Sequence, residues 1–413
     1  MMGERNRGRR PRAARRSRRG AGALNALAPL FHRLLDRIDR GLEVGAIEAS
    51  LPNGTARLLG GRAHGPVAIV AVHDWRALIR LATGGSAGWY EGWAAGDWSS
   101  PDPVPLFDLF MRNRIALGGA ARASSLSKFL RRAAHWARRN TPSNARKNIA
   151  YHYDLGNDFY LAWLDPGMTY SSAIFTPGLS LEAAQEMKLA RMLERTGAGP
   201  GDRILELGCG WGSFAEAAVG RSIDVHGITL STEQRDYAAA RVPEGARFTL
   251  TDYRDVSGTY DAIASIEMVE AVGQDYWRDY LRVVARSLKP GGRAAIQFIA
   301  IDDAIFEKYA ESVDFIQAYV FPGGMLLSER AFAALAQTEG LAWRDREAFG
   351  ASYAETLRQW RARFDAAVDE GRVPAEFDED FIALWRYYLM YCEGGFLGGG
   401  IDLIQVTLVK DGR

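Results

Sequence analysis

The run Asp-Arg-Ile-Leu-Glu-Leu-Gly-Cys-Gly-Trp-Gly-Ser at 202–213 sets an acid, Glu206, ahead of Gly208, Gly210 and Gly212. An apolar segment leads into it and a helical pattern follows. The glycines therefore fall in a strand-to-helix turn, where backbone without Cβ lets a ligand approach closely. A glycine turn alone is weak evidence, because dinucleotide sites use a similar one. Here the spacing is Glu-x-Gly-x-Gly-x-Gly rather than Gly-x-Gly-x-x-Gly, which favours an S-adenosylmethionine site. Two further segments support that reading. Gly-Ile-Thr-Leu-Ser at 227–231, followed by Gln234, puts the Thr229 hydroxyl and an amide where ribose oxygens would lie, although an Asp or Glu is commoner there. Thr-Asp-Tyr-Arg-Asp at 251–255 offers Asp252 to accept from an adenine amine and Tyr253 to stack on its ring. Asp252 and Asp255 also read as ordinary turn or helix-cap residues.

Holding these segments at one edge of a sheet requires alternating strands and helices, and hence parallel pairing. Strands are predicted near Arg203–Leu207, Asp224–Thr229, Arg247–Leu250, Asp261–Ile266 and Arg293–Ile299, with Leu341–Glu347 and Ile401–Lys410 completing seven. Two helical insertions, about Asp303–Gly340 and Ser352–Cys392, interrupt the last part. They are rich in aromatics, including Phe306, Tyr309, Phe315, Tyr319, Trp360, Phe364, Trp385 and Tyr388. Aromatics at helical spacing are usually core, but helices above the C-terminal edge of a sheet also roof a ligand crevice. Ahead of this domain, roughly Asn25–Arg114 reads as a small α+β unit. Its apolar runs lie at 55–59 and 66–72, a helix is predicted from His73, a Gly- and Trp-rich stretch runs from Gly84 to Trp98, and turn residues follow. The chain thus divides into a basic tail (1–22), a small N-terminal domain (23–115), a basic amphipathic linker (116–150) and a catalytic domain (151–413).

The net charge of +1 hides an asymmetry: residues 5–19 hold nine arginines beside the single acid Glu4. Such a segment buries no apolar surface and attracts anionic headgroups or nucleic acid, unless it is simply a solvated tail. From Leu109 to Ala150 there are ten Lys or Arg residues and no acid. Within it Leu126, Phe129, Leu130, Ala133, Trp136 and Ala137 recur at helical spacing among Lys128, Arg131, Arg132, Arg138 and Arg139. That pattern fits an interfacial helix, or a helix docked on the core with a solvated basic face. The sequence has neither the roughly 20-residue apolar run of a membrane span nor an apolar signal core. The expectation is a cytoplasmic protein, peripheral on the inner face of the membrane. The two cysteines, Cys209 and Cys392, sit in no paired spacing, so both are expected to be reduced and no metal is expected.

Five segments taken together resemble the cyclopropane fatty acid synthases and mycolic acid cyclopropane synthases. They are Tyr151–Tyr160, Met168–Ser172, Leu207–Gly212, Asp252–Asp255 and Val320–Ser328. The resemblance runs from about Tyr151 to Val409 and less clearly through the first domain. It implies a Rossmann-like class I methyltransferase, with a seven-stranded, mostly parallel sheet and helical insertions, beside the small N-terminal α+β domain. It further implies that Tyr170 and Ser171 hold the methionine part of S-adenosylmethionine, and Thr229 and Gln234 the ribose. In such an enzyme a cis alkene attacks the sulfonium methyl. The cation left on the acyl chain survives only in a dry site lined by π faces or carboxylates. The family's proposed base is bicarbonate, held by a glutamate corresponding to Glu270, a tyrosine corresponding to Tyr353, a histidine and backbone groups.

This sequence departs from that pattern. The expected histidines are Ala271 and Gln297, the usual Cys after Tyr-Ser is Ser172, and a position often Gly is Glu267. Gln297 donates a hydrogen bond but carries no charge. The catalytic candidates are therefore Glu270, Tyr353, Glu267 and Gln297, with Glu267 also readable as a sheet-edge carboxylate paired to an arginine. The Glu-Met-Val-Glu-Ala-Val-Gly form at 267–273 and the Ser-Val-Asp-Phe-Ile-Gln run at 312–317 look more like a branch of the family that makes mid-chain methyl- or methylene-branched acyl chains. The implied cofactors are S-adenosylmethionine and, through the family, bicarbonate. The implied partners are a phospholipid bilayer with unsaturated chains and a reductase for a methylene product. A homodimer is compatible with the sequence and no specific nucleic acid is expected. Two other readings stay open: an N- or O-methyltransferase for a small metabolite, and a non-enzymatic polyanion binder using the arginine tail.

Overall fold

The computed structural model describes Leu24, residues 28–118 and residues 155–412. The arginine tail and the amphipathic segment Leu126–Arg139 lie outside those residues. Contacts divide the chain into two units, one on each side of the Lys128–Phe129 boundary.

In the first unit, helix α1 (Ala28–Gly41) buries Phe31, Leu35 and Ile38. Strand β1 (Ala46–Ser50) pairs antiparallel with β2 (Ala56–Gly60) and parallel with β3 (Val67–Val72), whose other edge carries the short β4 (Trp98–Ser99). The sequence showed β2 and β3 but not β1, whose Ala-Ile-Glu-Ala-Ser has only one β-branched residue. The Gly- and Trp-rich stretch belongs to helix α2 (Arg76–Ala94), which kinks at Gly85 (φ 59°, ψ −140°). Only glycine fits at the following Gly88, where a Cβ would collide with the Arg80 carbonyl. Beyond the kink Trp89 stacks on Trp98, ring centroids 4.3 Å apart, and accepts the Trp98 indole N–H on its carbonyl at 2.8 Å.

The second unit is built on a seven-stranded sheet. Its strands are β5 (Arg203–Leu207), β6 (Asp224–Thr229), β7 (Ala246–Leu250), β8 (Tyr260–Ile266), β9 (Leu288–Ile301), β10 (Leu341–Ala348) and β11 (Ile401–Lys410). Across the sheet the order is β10-β11-β9-β8-β5-β6-β7. The pairs β5–β6, β6–β7, β5–β8 and β8–β9 are parallel, and β11 is antiparallel to both neighbours. All seven strands predicted from the sequence are present. Ile204, Leu205, Leu207, Ile263 and Ala264 are fully buried, because helices cover both faces of the central strands. One face packs on Leu189, Met192 and Leu193 of α6 (Leu181–Thr196) and on Phe214 and Ala218 of α7 (Ser213–Val219). The chain winds outward from β5 to β7 and resumes at β8 on the other side of β5. The C-terminal ends of β5 and β8 therefore flank a topological switch point, where open α/β sheets bind ligands.

The insertions fill the remaining connections. Between β9 and β10 run α10 (Asp303–Ala310), a π-helical turn at Ile316–Val320 and α11 (Glu329–Thr338). Between β10 and β11 run α12 (Gly350–Asp369) and α13 (Glu379–Leu397). Among the described residues no helix is long and apolar enough to cross a membrane.

Candidate active site

A crevice opens at the switch point, walled by Tyr170, Ser171, Glu206, Gly208, Gly210, Thr229, Gln234, Asp252, Tyr253 and Glu267 among others. The three glycines do different things there. A Cβ on Gly210 would meet nothing within 4 Å, so this residue leaves its side of the crevice open. On Gly208 it would lie 2.9 Å from Met268 Cγ. Gly212 is not on the wall: a Cβ there would sit 3.0 Å from Ala238 Cβ on α8 (Thr232–Arg241), so it permits the packing of α8 against the turn. Trp211 is fixed by an indole N–H donated to Asn157 Oδ1 at 2.7 Å, which ties the turn to α5 (Asn157–Leu161).

The polar groups of the ribose and adenine ends are partly committed. Thr229 donates to Gln234 Oε1 at 2.8 Å, which leaves the Gln234 amide N–H groups to face a ligand. Asp252 both caps the turn at Tyr253–Asp255 and takes the Arg254 guanidinium on its two oxygens, at 2.8 and 2.6 Å. The cap reading of Asp252 is thus realised, and an adenine amine would share an oxygen with Arg254. The Arg254 guanidinium lies 5.3 Å from the Tyr253 ring centroid, and the buried Tyr253 hydroxyl has no protein partner.

Glu206 supplies the test of fit for S-adenosylmethionine. Its carboxyl is buried on the wall, Oε2 has no partner, and burial holds its pKa well above the usual carboxylate range. A cation placed beside that oxygen would draw the carboxyl back to its ionised form, and S-adenosylmethionine carries an ammonium and a sulfonium. The open space over Gly210 and the orphan oxygen of Glu206 fit that cofactor.

Glu267, at the end of β8, joins this crevice to a second group of residues. It stands at φ +51°, a left-handed conformation that glycine adopts freely. Its Oε1 accepts from the Ser172 amide and from Gln297 Nε2, both at 2.8 Å, and its Oε2 accepts from the Tyr353 hydroxyl at 2.6 Å. Its own amide donates to the Gln297 carbonyl at 2.8 Å. Gln297 is oriented in turn by Gln405, which donates to its Oε1 at 2.8 Å. Burial pushes the Glu267 pKa up, while Tyr353, Ser172, Gln297 and the Lys188 charge pull it back. The sequence-based alternative of an arginine pair is not what forms: neutral donors hold the carboxylate.

Glu270 lies apart from that network. Its Oε1 accepts from the Ile299 amide at 2.6 Å, its Oε2 is buried without a partner, and it is not on the crevice wall. Burial, then repulsion from Glu267, raises its pKa to about 8. Gln297 and Tyr353 also stand behind the wall and reach the crevice through Glu267. The donors that the family resemblance assigns to bicarbonate thus converge on the side chain of Glu267.

Sequence reasoning missed Lys188, which lines the crevice fully buried and donates to Ser171 Oγ at 2.7 Å. The signal was its position, since Leu181, Ala184, Lys188 and Met192 form the buried stripe of α6. Gln185 on the same stripe donates to the Ser171 carbonyl at 2.9 Å. Aromatic residues of the insertions pack behind Tyr170, and none of them is on the crevice wall itself. Tyr170 shares a hydroxyl hydrogen bond of 2.9 Å with Tyr388 of α13, and its ring centroid is 5.4 Å from that of Trp360 on α12.

Comparison with known proteins agrees with this geometry. Residues 140–406 match the family described as mycolic acid cyclopropane synthetase. The tuberculostearic acid methyltransferase UfaA1 of Mycobacterium tuberculosis is 36% identical over 413 residues, covering 94% of this chain and 92% of that protein. The cyclopropane-fatty-acyl-phospholipid synthase of Escherichia coli is 38% identical over 263 residues, covering 63% of this chain and 66% of the relative. The crystal structure of mycolic acid cyclopropane synthase CmaA1 complexed with SAH and CTAB superposes with a TM-score of 0.60 at 28% identity, covering 64% of this chain and 98% of that one.

Proposed function

The chain belongs to the mycolic acid cyclopropane synthetase family and is an S-adenosylmethionine-dependent methyltransferase; we propose that it methylates a double bond in the unsaturated acyl chains of membrane phospholipids. The observation that carries this reading is the Glu267 carboxylate, which faces the cofactor crevice and is held by Tyr353, Gln297 and the Ser172 amide.

Bound S-adenosylmethionine supplies an electrophilic methyl group. Glu206, Ser171, Thr229 and Gln234 would hold it, with Gly210 leaving room for it. When an alkene accepts that methyl, the π electrons become the new carbon–carbon bond and a cation remains on the acyl chain. A nearby fixed carboxylate stabilises that cation without reorganising, and the aromatic side chains packed behind Tyr170 help to keep water from trapping it. Glu267 then takes a proton from the transferred methyl carbon. The released C–H pair closes a cyclopropane, or forms a methylene once a hydride has shifted. The full-length similarity to a tuberculostearic acid methyltransferase favours the methyl- or methylene-branched outcome. A bilayer is then the partner surface, with the enzyme peripheral on its inner face, and a reductase is the partner class that would saturate a methylene product.

Glu267 as the base makes bicarbonate unnecessary. The test is turnover of unsaturated phospholipid vesicles in carbon-dioxide-free buffer, with and without added bicarbonate. Equal rates are expected. A rate that collapses without bicarbonate would show that the proton goes elsewhere.

A further inference from the structure

Lys188 has no counterpart in the account so far. It is buried to 0% exposure, on the stripe by which α6 faces the sheet. Its ammonium donates to Ser171 Oγ at 2.7 Å, and Ser171 stands on the cofactor wall. Three buried carboxyls from three separate elements act on that ammonium: Glu267 at the end of β8, Asp165 in the loop before Tyr170, and Glu206 at the end of β5. The groups acting on Glu267 are the neutral donors Tyr353 from α12, Gln297 from β9 and the Ser172 amide, and Lys188, while Glu267 in turn pushes the pKa of Glu270 up. Lys188 is therefore the cation in that set. A lone carboxylate in a dry site tends to take up a proton; the neutral donors Tyr353, Ser172 and Gln297 oppose this most, and the Lys188 charge adds to them.

We propose that Lys188 is a positioning residue for the methyl transfer: its buried ammonium, anchored on Ser171, holds the Ser171–Ser172 segment whose amide fixes Glu267, the group that receives the proton. The inference rests on the reading of Glu267 as the base. It adds that the base depends on a charge from a helix that contributes no hydrogen bond to it. The same ammonium ties the cofactor wall to the proton acceptor, because Ser171 and Ser172 are adjacent and each is fixed by one of the two groups.

The experiment measures kcat against pH for the wild type, Lys188→Met and Glu267→Gln, at saturating cofactor and vesicle substrate. Losing the cation should move the acid limb of Lys188→Met up by at least about one pH unit and lower kcat at pH 7 at least about tenfold. Glu267→Gln should be inactive at every pH. A Glu267→Gln enzyme with normal turnover would overturn the base assignment and this inference with it. An inactive Glu267→Gln beside an unmoved acid limb in Lys188→Met would overturn the role of Lys188 alone. Should Lys188→Met not fold, the melting temperature of Lys188→Met/Glu267→Gln decides. Recovery towards that of Glu267→Gln supports the pairing, whereas destabilisation as severe as in Lys188→Met alone contradicts it.

Discussion

Tyr353 donates its hydroxyl hydrogen to Glu267 Oε2 at 2.6 Å, and so connects α12 of the second insertion to the C-terminal end of β8. The insertion is thus part of the proton-accepting group. Tyr353 keeps its place independently of that bond, since its ring stacks on Phe396 at 4.3 Å. Tyr353→Phe should fold normally and bind S-adenosylhomocysteine as the wild type does, because the residue is not on the crevice wall. Its kcat should fall about 10²-fold, the scale of a lost contribution to positioned proton transfer. Calorimetry and steady-state kinetics check the two halves separately.

Glu267→Gly tests the backbone and the carboxylate at once. Glycine accepts the φ of +51° without a Cβ penalty, so the melting temperature should hold or rise. The variant leaves a space facing the Tyr353 hydroxyl, the Gln297 amide and the Ser172 amide. Added bicarbonate should restore turnover in Glu267→Gly and not in Glu267→Gln, whose side chain fills the space. Rescue of neither would mean that those donors do not form an anion site.

Gly210→Val should lower affinity for S-adenosylhomocysteine by at least about 10²-fold, because its side chain would point into the space that Gly210 leaves open. The left-handed φ of +51° adds strain of about 1–3 kcal/mol to a β-branched residue, which a thermal melt would register separately. Unchanged affinity measured by calorimetry would mean the cofactor does not pass over this turn.

Glu270 gives a pH dependence with a definite sign. Its folded-state pKa of about 8 stands above the usual value of 4.5, because burial and the Glu267 charge disfavour the anion. The folded protein therefore holds a proton that the unfolded chain releases. The associated stability is fully present below about pH 4.5 and is lost as pH rises to about 8, with a slope of at most about 1.4 kcal/mol per pH unit. Denaturant melts of the wild type and Glu270→Gln at pH 5, 6, 7 and 8 should show the wild type losing stability relative to the variant across that range. A constant difference would mean that Glu270 is ionised in the fold.

The positions of the seven strands and the cofactor edge were legible because alternating strands and helices and the glycine spacing at 206–212 are local patterns. All ten proposed cofactor residues except Gly212 line one crevice. Gly212 stands apart because a glycine that makes room for packing against Ala238 looks the same in sequence as one needed beside a ligand. Both readings of Asp252 meet in one side chain, which lines the crevice while it caps its turn and bonds the guanidinium two residues on. Glu267 and Tyr353 were both singled out, yet their hydrogen bond spans 86 residues and depends on a positive φ that no residue type announces. Lys188 was invisible for a different reason: a lysine on a helix normally reads as solvated, and only the three carboxyls brought around it by β5, β8 and a loop make it otherwise.

The central claim is that the acceptor is a carbon of an acyl-chain double bond and that one proton leaves the transferred methyl. The purified protein should be incubated with S-adenosylmethionine bearing a trideuterated methyl and with vesicles of unsaturated phospholipid, and the released fatty acids analysed by gas chromatography and mass spectrometry. The account predicts acyl groups with one additional carbon that keep two of the three deuterium atoms. Label on the headgroup, or all three deuteriums retained on the acyl chain, would contradict it.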